Sequence, residues 1–480
     1  MFFACFRKEI LNSMLSTRYA LVFALFIGLT FAATIMRTEL YKKQVAVYAE
    51  DQRQYQALID STESVFMANE IGITHARRPS ALGIFVAGLE NEINRFVSFS
   101  AGGTPQNLPR PINLVSFQCF MQFDMVFIIN VVCSLLALLL VFDGVCGESE
   151  SGTLKVLLAG PLPRDVIILS KLAAGLFTLL APLALAWAAS ICYVFFAANI
   201  MLTPDETTRL IWIIVLSFLY IALFFAIGIM VSCWVKRSAT SLAVCLFFWI
   251  IAVPAIPNLV PMAVQHILPV PPQARISAEY FAISRDVHET LEPQIREESG
   301  RKFTDIGAVN QDVEYRVGKE IVKRSEAVDR YYLSIIKRQL ALDQSISRAS
   351  PAAGFVYAAS DVAGLGVRDF LALVEESDRY QHGYNDYSFK LIDKANAAQQ
   401  EIQRMMDEWQ KQQEKNPMTP MPQLPEPARV RFRDYPKFDV RPLPAAVAIR
   451  NAMPDMVMLC GIAVLALLLA LVGFMRYDAR

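Results

Sequence analysis

The two long polar regions of this sequence, residues 37–118 and 269–452, contain no cysteine. All eight cysteines lie in or beside apolar segments instead. A disulfide framework is therefore excluded for the polar regions, and any fold they adopt must depend on packing. The sequence also has no Cys-x-x-Cys pair, and its four histidines are far apart along the chain. These spacings do not predict a zinc or haem site.

An excess of charge of either sign is also missing, because 45 basic residues balance 45 acidic ones. Balanced charge gives no indication of nucleic-acid binding. Gly147 and Gly152 have the glycine spacing of a phosphate-binding loop, but Thr153 and Leu154 follow where lysine and serine or threonine are needed. No Ser/His/Asp set or pair of carboxylates predicts catalysis. We therefore expect a chain that is not an enzyme and that holds no cofactor itself.

Apolar runs of membrane length are abundant. Hydrophobic residues make up 54% of the chain and charged residues only 19%, which is typical of an integral membrane protein. A membrane helix needs about 20 mostly apolar residues. Before the first run, residues 1–18 form an amphipathic lead that is predicted to lie in the membrane surface, with a simple extension of the first span as the alternative. The predicted spans are residues 19–36, 119–142, 166–198, 210–235, 241–268 and 453–474.

Three prolines interrupt the fifth predicted span. Pro254, Pro257 and Pro261 each remove a backbone donor, and residues 241–253 alone are too short to cross a bilayer. We expect the helix to end or kink near Val253 and to be followed by broken or re-entrant structure.

Basic residues are concentrated at both termini and in alternate loops. The positive-inside rule then places both termini and the loop 143–165 in the cytoplasm, with the chain in a bacterial inner membrane. The same alternation places residues 37–118 and 269–452 on the outer side. The basic residues behind this orientation are Arg7, Lys8, Arg18, Lys155, Arg164, Lys171, Lys236, Arg237, Arg476 and Arg480.

The outer region 269–452 is as large as an ordinary soluble domain. Apolar residues recur at helical spacing over residues 313–347 and 389–415, which predicts two long helices in an antiparallel hairpin. A turn is predicted between them at residues 350–352. Residues 416–444 are rich in proline and are predicted to return to the last span in extended form.

Two polar residues, Asp124 and Asn130, lie within the second predicted span. Charge inside a bilayer is costly and often functional. Because Asp124 is close to the outer end of this span, we expect it to reach the lipid headgroups.

A short polar segment, residues 147–164, separates the second and third predicted spans and is called the island below. Glu148 and Glu150 suit a helix start, and Gly160 with Pro161 supplies a stop. The alternative is a solvated connector, but a simple connector rarely needs such signals at both ends. The island is therefore predicted to present a short helix with an acidic and an apolar face to a partner. Leu154, Leu157 and Leu158 form the predicted apolar face.

The island resembles the loop after the second span of ABC-2 type ABC transporter permeases. That loop has the pattern Glu-x-Gly-Thr-Leu-x-x-Leu-Leu, then a small residue and proline, an arginine, and later a Gly-Lys or similar pair. The resemblance extends to the six spans and the amphipathic lead. It is closest to members with a large outer domain between spans five and six, including gliding-motility-associated permeases. The matching residues are Glu150-Ser151-Gly152-Thr153-Leu154-Lys155-Val156-Leu157-Leu158, Gly160-Pro161, Arg164 and Ser170-Lys171.

The resemblance implies an all-α membrane protein, namely a six-span, type V exporter-like bundle with a mainly helical extracytoplasmic domain. It also implies that two permease chains, identical or different, pair in the membrane. Two separate ABC ATPase subunits would dock beneath them and bind ATP and magnesium, and the island would be the coupling helix. The implied ATPase-coupling residues are Glu148, Glu150, Gly152, Thr153, Leu154, Leu157, Leu158, Pro161 and Arg164.

Two functions from different classes remain open. The chain is either an exporter permease subunit or a membrane scaffold that uses ATPase strokes to move its outer helices and engage envelope partners, without moving a substrate. The large outer domain and the lack of an obvious polar lining keep the second function open. A membrane-bound enzyme is disfavoured, because no catalytic constellation is present.

Overall fold

The computed structural model describes residues 2–61, 73–75, 77–93, 97–99, 122–153, 163–302, 306–415, 420–422, 438 and 442–476. Within these ranges, six helical segments are long and apolar enough to cross a membrane. The end of the bundle where residues 143–153 lie is called the island face, and the opposite end is called the distal face. The first to sixth spans are Tyr19–Leu58, Met125–Glu150, Val166–Ala197, Pro204–Trp234, Ser238–Ile267 and Ala445–Met475.

Helices dominate the described chain. The helices are α1 (Phe2–Met14), α2 (Thr17–Ser61), α3 (Glu90–Ile93), α4 (Met125–Phe127), α5 (Ser134–Val141), α6 (Cys146–Glu150), α7 (Arg164–Cys192), α8 (Pro204–Trp234), α9 (Ser238–Ile250), α10 (Ile256–Ile267), α11 (Gln273–Thr290), α12 (Glu292–Lys302), α13 (Ile306–Ser347), α14 (Pro351–Ala363), α15 (Val367–Lys415) and α16 (Ala445–Met475). The π-helical stretches Ile128–Cys133, Tyr193–Ala197 and Ile251–Ala255 lie within the second, third and fifth spans. Two short strands, β1 (Ile73–His75) and β2 (Val97–Phe99), pair antiparallel.

The fourth span, α8, forms the centre of the bundle. It packs most extensively against the sixth span and also contacts α5, α7 and α14. A helix that is apolar on all sides is expected to have protein around it, and Tyr220, Phe224 and Phe225 are accordingly buried. A capping box between Thr203 and Glu206 fixes where this helix begins.

The fifth span stays helical where its prolines predict a break. α9 passes through the π-helical stretch Ile251–Ala255 into α10, and Pro254 lies inside that stretch. A π turn shifts the hydrogen-bond register, so the missing proline donor is accommodated without ending the helix. Asn258 Nδ2 also donates to the Pro254 carbonyl at 2.6 Å. The helix therefore continues beyond Val253, and the π-helical stretch lies where the sequence predicts an end or a kink.

Two long helices, α13 and α15, dominate the region between the fifth and sixth spans. They run antiparallel, because Tyr315 Oη donates to the Phe389 carbonyl at 3.2 Å and Lys337 Nζ lies 2.5 Å from Glu375 Oε1. Both are longer than the helical patterns in the sequence. α13 continues towards the bundle and packs against α10 of the fifth span.

Between these two helices the structure has a third helix, α14, where the sequence predicts a turn. Every residue of Pro351–Ala363 is buried. Ser350 Oγ accepts the Ala352 N–H at 3.1 Å and donates to the carbonyl of Ala252 in the fifth span. The Phe355 ring stacks on Tyr220, near the middle of α8, at 4.3 Å. This helix therefore lies among the spans, and its small residues allow that close approach.

The segment between the first two spans also enters the bundle. Its 3-10 turn Ala81–Ile84 is buried, and the next residue, Phe85, packs on Trp187 of the third span with ring centroids 5.6 Å apart. Arg37 from the first span donates to Glu90 at 2.5 Å, and the side chains are 5% and 1% exposed. A buried ion pair and apolar contacts thus hold this segment at the distal face.

Asp124 caps a helix at the distal face and does not reach headgroups as the sequence suggests. It is buried, and its carboxylate accepts the N–H of Phe127 at 2.6 Å as the N-cap of α4. Its second oxygen accepts the N–H of Ala87 at 2.5 Å. The residue therefore joins the inserted segment to the start of the second span.

Candidate functional site

The island begins as a compact turn at the end of the second span. The short helix α6 covers Cys146–Glu150, and Gly152 follows it with a φ of +74°. That left-handed conformation favours glycine and ends the helix. Thr153 Oγ1 donates to the Glu148 carbonyl at 3.2 Å and closes the turn. Four of the predicted coupling residues, Glu148, Glu150, Gly152 and Thr153, are thereby brought together.

Of the five remaining predicted coupling residues, the structure describes only Arg164. Leu154, Leu157, Leu158 and Pro161 lie outside the described residues. Arg164 is the first residue of α7, which begins directly after Pro163. The start of the third span therefore agrees with the helix start that the sequence places there.

Glu148 is bound by a lysine of the third span. Lys171 Nζ lies 2.5 Å from Glu148 Oε1 and 3.3 Å from Glu9 Oε1 of α1, and the lysine side chain is only 8% exposed. It also donates to the Gly144 carbonyl at 3.4 Å. A buried ammonium requires such partners. One lysine thus links the island, the amino-terminal helix and the third span.

Glu150 is bound at the start of the fifth span. Its Oε1 accepts the Ser238 N–H at 3.1 Å, and its Oε2 accepts the Ser238 hydroxyl at 2.6 Å. Ser238 is the first residue of α9, so the carboxylate satisfies a free amide and stabilises the positive end of the helix dipole. The second glutamate therefore links the island to another span.

Serine hydroxyls from the fourth and fifth spans hold the chain just before the island. Ser232 Oγ accepts the N–H groups of Val145 and Cys146 at 3.0 and 3.2 Å. Ser241 Oγ donates to the Phe142 carbonyl at 2.7 Å. The end of the second span is thus bound to its neighbours through its backbone as well as through both glutamates.

The exposed part of the turn is small. Glu150, Ser151 and Thr153 are exposed, while Cys146 at its base is buried. The glutamates, predicted to offer polar contacts to a partner, have partners within the chain. In the described ranges, no group of three or more His, Cys, Asp or Glu side chains could hold a metal ion.

The sequence analysis uses Lys171 only as a basic residue that sets the orientation and as part of the family pattern. A lysine inside an apolar helix is itself a signal of a nearby carboxylate. Its partners, Glu148 and Glu9, are 23 and 162 positions away, so only the packing of α1 against α7 brings the three together. The role of Ser238 could not be found from the sequence, because it depends on where α9 begins.

Comparison with known proteins gives a match over nearly the whole chain. The family model described as ABC-2 family transporter protein matches residues 3–479. A search among curated proteins finds no match. The six apolar spans and the almost wholly helical fold agree with a membrane subunit of that kind. The chain therefore belongs to the ABC-2 family of transporter proteins, as a multi-pass membrane protein.

Proposed function

We propose that this chain is the permease subunit that couples ATP hydrolysis on separate ATPase subunits to movement of its spans. The observation that carries the proposal is the double attachment of the island. Glu148 is bound to the third span and to α1 through Lys171, and Glu150 is bound to the fifth span through Ser238. A displacement of this turn therefore acts on three spans at once, counting the second span that leads into it.

The island would receive its displacement from an ATPase docked against residues 151–164. Leu154, Leu157 and Leu158 supply the apolar contact in this proposal, and Gly152 lets the chain leave the turn at the required angle. Glu148 and Glu150 act inside the permease as links, which revises the contacts that the family resemblance implies for them. ATP and magnesium belong to the ATPase subunits.

The island face is cytoplasmic in this proposal, and both termini lie on the same side of a bacterial inner membrane. The supporting observation is the concentration of basic residues at that face, including Lys171, Lys236 and Arg237. A second permease chain, identical or different, completes the pathway for export.

The proposal is tested by mutating the island in the full chain, co-expressed with its ATPase. Replacing Gly152, Leu154 and Leu157 by aspartate should abolish co-purification of the ATPase, because charge replaces the apolar contact. Glu148→Gln with Glu150→Gln should leave the complex intact but reduce ATP hydrolysis stimulated by the permease. Glu206→Gln is the matched control, because it removes the same charge from a helix start at the distal face. Unchanged assembly and hydrolysis in both island variants would contradict the coupling role.

A second candidate function is mechanical transmission to the distal helices without export. The observation that favours it is the attachment of the distal hairpin to the spans. Arg348, just after α13, binds Asp455 of the sixth span at 2.6 Å, and Arg368 of α15 donates to the Asn451 carbonyl at 2.8 Å. A movement of the sixth span would therefore move the base of both long helices and any envelope partner bound to them.

The two candidates differ in what ATP changes. Spin labels at exposed Arg330 of α13 and exposed Arg379 of α15, with accessible cysteines replaced, can be measured in nanodiscs with the ATPase present. Under transmission, ATP changes the distances between labels on paired chains while solute flux in proteoliposomes stays at background. Under export, solute flux depends on ATP.

A further inference from the structure

A large cavity lies at the distal face, far from the island. It has a volume of about 800 Å³, which falls in the range of ligand pockets. Its walls come from the distal end of α2, the chain around β1, the loop before α8, and the residues that lead into α16. Several separate parts of the chain thus converge on one space that the coupling proposal does not use.

Carboxylates in the wall are already satisfied. Asp205 binds Arg209 Nε at 2.7 Å and accepts the Ala445 N–H at 2.9 Å. Glu206 accepts both the N–H and the hydroxyl of Thr203, at 2.8 and 2.9 Å. Both carboxylates therefore have hydrogen-bond donors, and Asp205 also has a cation, whereas Glu206 keeps its negative charge.

Arg209 is also satisfied. In addition to Asp205, its guanidinium donates to the carbonyl of Val362 at 3.1 Å and to the carbonyl of Leu443. This arginine joins the fourth span to α14 and to the chain that enters the sixth span. It is a structural part of the wall.

Two arginines on the facing wall are different. Arg77 and Arg78 line the cavity, and neither forms an ion pair with a carboxylate of the described chain. Arg78 is exposed, and its guanidinium lies near the Tyr41 hydroxyl. Burial lowers the pKa of Arg77, and Asp369 is the carboxylate that most strongly offsets this effect. With Arg209 and Asp205 paired, the lining carries the charges of Arg77, Arg78 and Glu206, so its net charge is positive.

The rest of the wall suits an apolar or aromatic body with a few polar groups. Tyr48 and Phe438 supply aromatic surface, and Gln52 supplies an amide. His75 Nε2 is buried without a hydrogen-bond partner in the described part of the chain. Burial lowers the pKa of His75 to about 4, so its ring is neutral at neutral pH. A buried ring nitrogen without a partner gains free energy when a ligand hydrogen bond satisfies it.

We propose that this distal cavity binds an organic anion, with Arg78 and Arg77 holding a phosphate or carboxylate group and the aromatic wall holding an apolar body. Arginine suits this role because its planar donors match the geometry of both groups. The same chemistry is offered by a free solute and by the headgroup of an anionic lipid at the membrane surface.

The test uses the full chain in phosphatidylcholine nanodiscs and 1-naphthyl phosphate as the probe, with binding to empty discs subtracted. We expect saturable binding that Arg78→Gln weakens at least about tenfold, through loss of a charged hydrogen bond. Arg379→Gln is the matched control, because Arg379 is an exposed arginine outside the cavity. Equal binding by wild type and R78Q, an equal loss in R379Q, or equal binding of neutral 1-naphthol would overturn the proposal.

A second measurement needs no variant. Met201 lines the cavity and is 89% exposed, whereas Met421 is 60% exposed and lies outside the cavity lining. The probe should slow oxidation of Met201 by peroxide and leave Met421 unchanged, and equal rates with and without the probe would count against the site.

Nanodiscs containing phosphatidylglycerol then identify the source of the anion. A lipid occupant is indicated if wild type retains this lipid and R78Q does not, and if wild type binds the probe more weakly in these discs than in phosphatidylcholine discs. Unchanged probe binding in these discs indicates a free solute.

Discussion

The two faces of the bundle are held together in different ways. At the island face, Lys171 and Ser238 bind the glutamates of a short, partly exposed turn. At the distal face, three arginines bind buried segments to the first, fourth and sixth spans, namely Arg37, Arg209 and Arg348. The first arrangement joins several spans through a few polar contacts that can rearrange together. The second embeds backbone and ion pairs in a packed interior, where loss of a partner is costly.

The comparison indicates a division of mechanical roles. A turn with few buried apolar contacts belongs to the least stable part of a fold, so it can change its conformation when a partner binds. α14 and the segment 81–90 are buried, so they should move only together with the spans that they contact. Force entering at the island face should therefore reach the distal face as movement of whole helices.

The largest effect is expected at the distal face, from breaking the ion pair between Arg348 and Asp455, which is called the clamp below. Arg348→Leu leaves Asp455, which is 2% exposed, without its cation, and uncompensated buried charge costs about 3–5 kcal/mol. We expect a large fall in the thermal unfolding temperature in detergent. Arg285→Leu, which breaks an exposed pair with Glu289, should change it little.

The double variant Arg348→Leu with Asp455→Leu separates charge burial from packing. If the clamp acts through charge, the double variant should recover most of the lost stability, because no uncompensated charge remains. A double variant as unstable as the single one would show that the arginine acts mainly by filling space, and the comparison of the two faces would lose its electrostatic basis.

Two glycines with positive φ, one at each face, allow the packing of the two faces to be compared. Gly88 at the distal face has a φ of +46°, and an added Cβ would lie 2.5 Å from the Leu365 carbonyl oxygen. Gly152 at the island face has a φ of +74° and open space around it. We expect Gly152→Ala to cost about 1 kcal/mol of backbone strain and Gly88→Ala to cost about 2–3 kcal/mol, because collision adds to strain. Equal losses in thermal unfolding would contradict the tighter packing of the distal face.

A smaller effect is expected from Lys171→Met. This change leaves Glu148 and Glu9 without their shared cation, but their side chains are 27% and 19% exposed, so water compensates part of the loss. We expect about 1 kcal/mol of destabilisation together with faster tryptic cleavage of α1 at Arg7 and Lys8. Lys337→Met, which breaks a more exposed pair, is the control. Unchanged cleavage would show that packing alone holds α1.

The six spans could be predicted from sequence because their signal is local. An apolar run of membrane length is typical of a membrane helix and of little else. Every predicted span overlaps an apolar helix of that length among the described residues. Four of the predicted coupling residues could be placed in one turn for a similar reason, since Glu148 to Thr153 are neighbours in sequence.

α14 could not be recognised in the same way. It is too short to cross a bilayer, and Ser350 and Pro351 are residues that favour turns as well as helix starts. Its burial depends on contacts with Tyr220 and Ala252, which are distant in sequence. The continuation of the helix beyond Val253 could not be predicted for a related reason, because proline marks an end or a kink in a regular α-helix and the π-helical stretch around Pro254 accommodates it.

The last expected effect is a pH dependence confined to the distal face. Burial among aromatic rings lowers the pKa of His75 from 6.5 to about 4. Between about pH 6.5 and about pH 4, His75 is therefore protonated in the unfolded chain and neutral in the folded chain. This difference favours unfolding, so the free energy of unfolding decreases as pH falls through this range. The protection factor of the β1–β2 amides, which is the intrinsic exchange rate at each pH divided by the measured rate, should fall over this range in wild type and less so in His75→Phe. The protection factors in α6 at the island face should stay unchanged. A fall in both regions together would mean that the two ends of the bundle open as one unit, and the division of roles proposed above would fail.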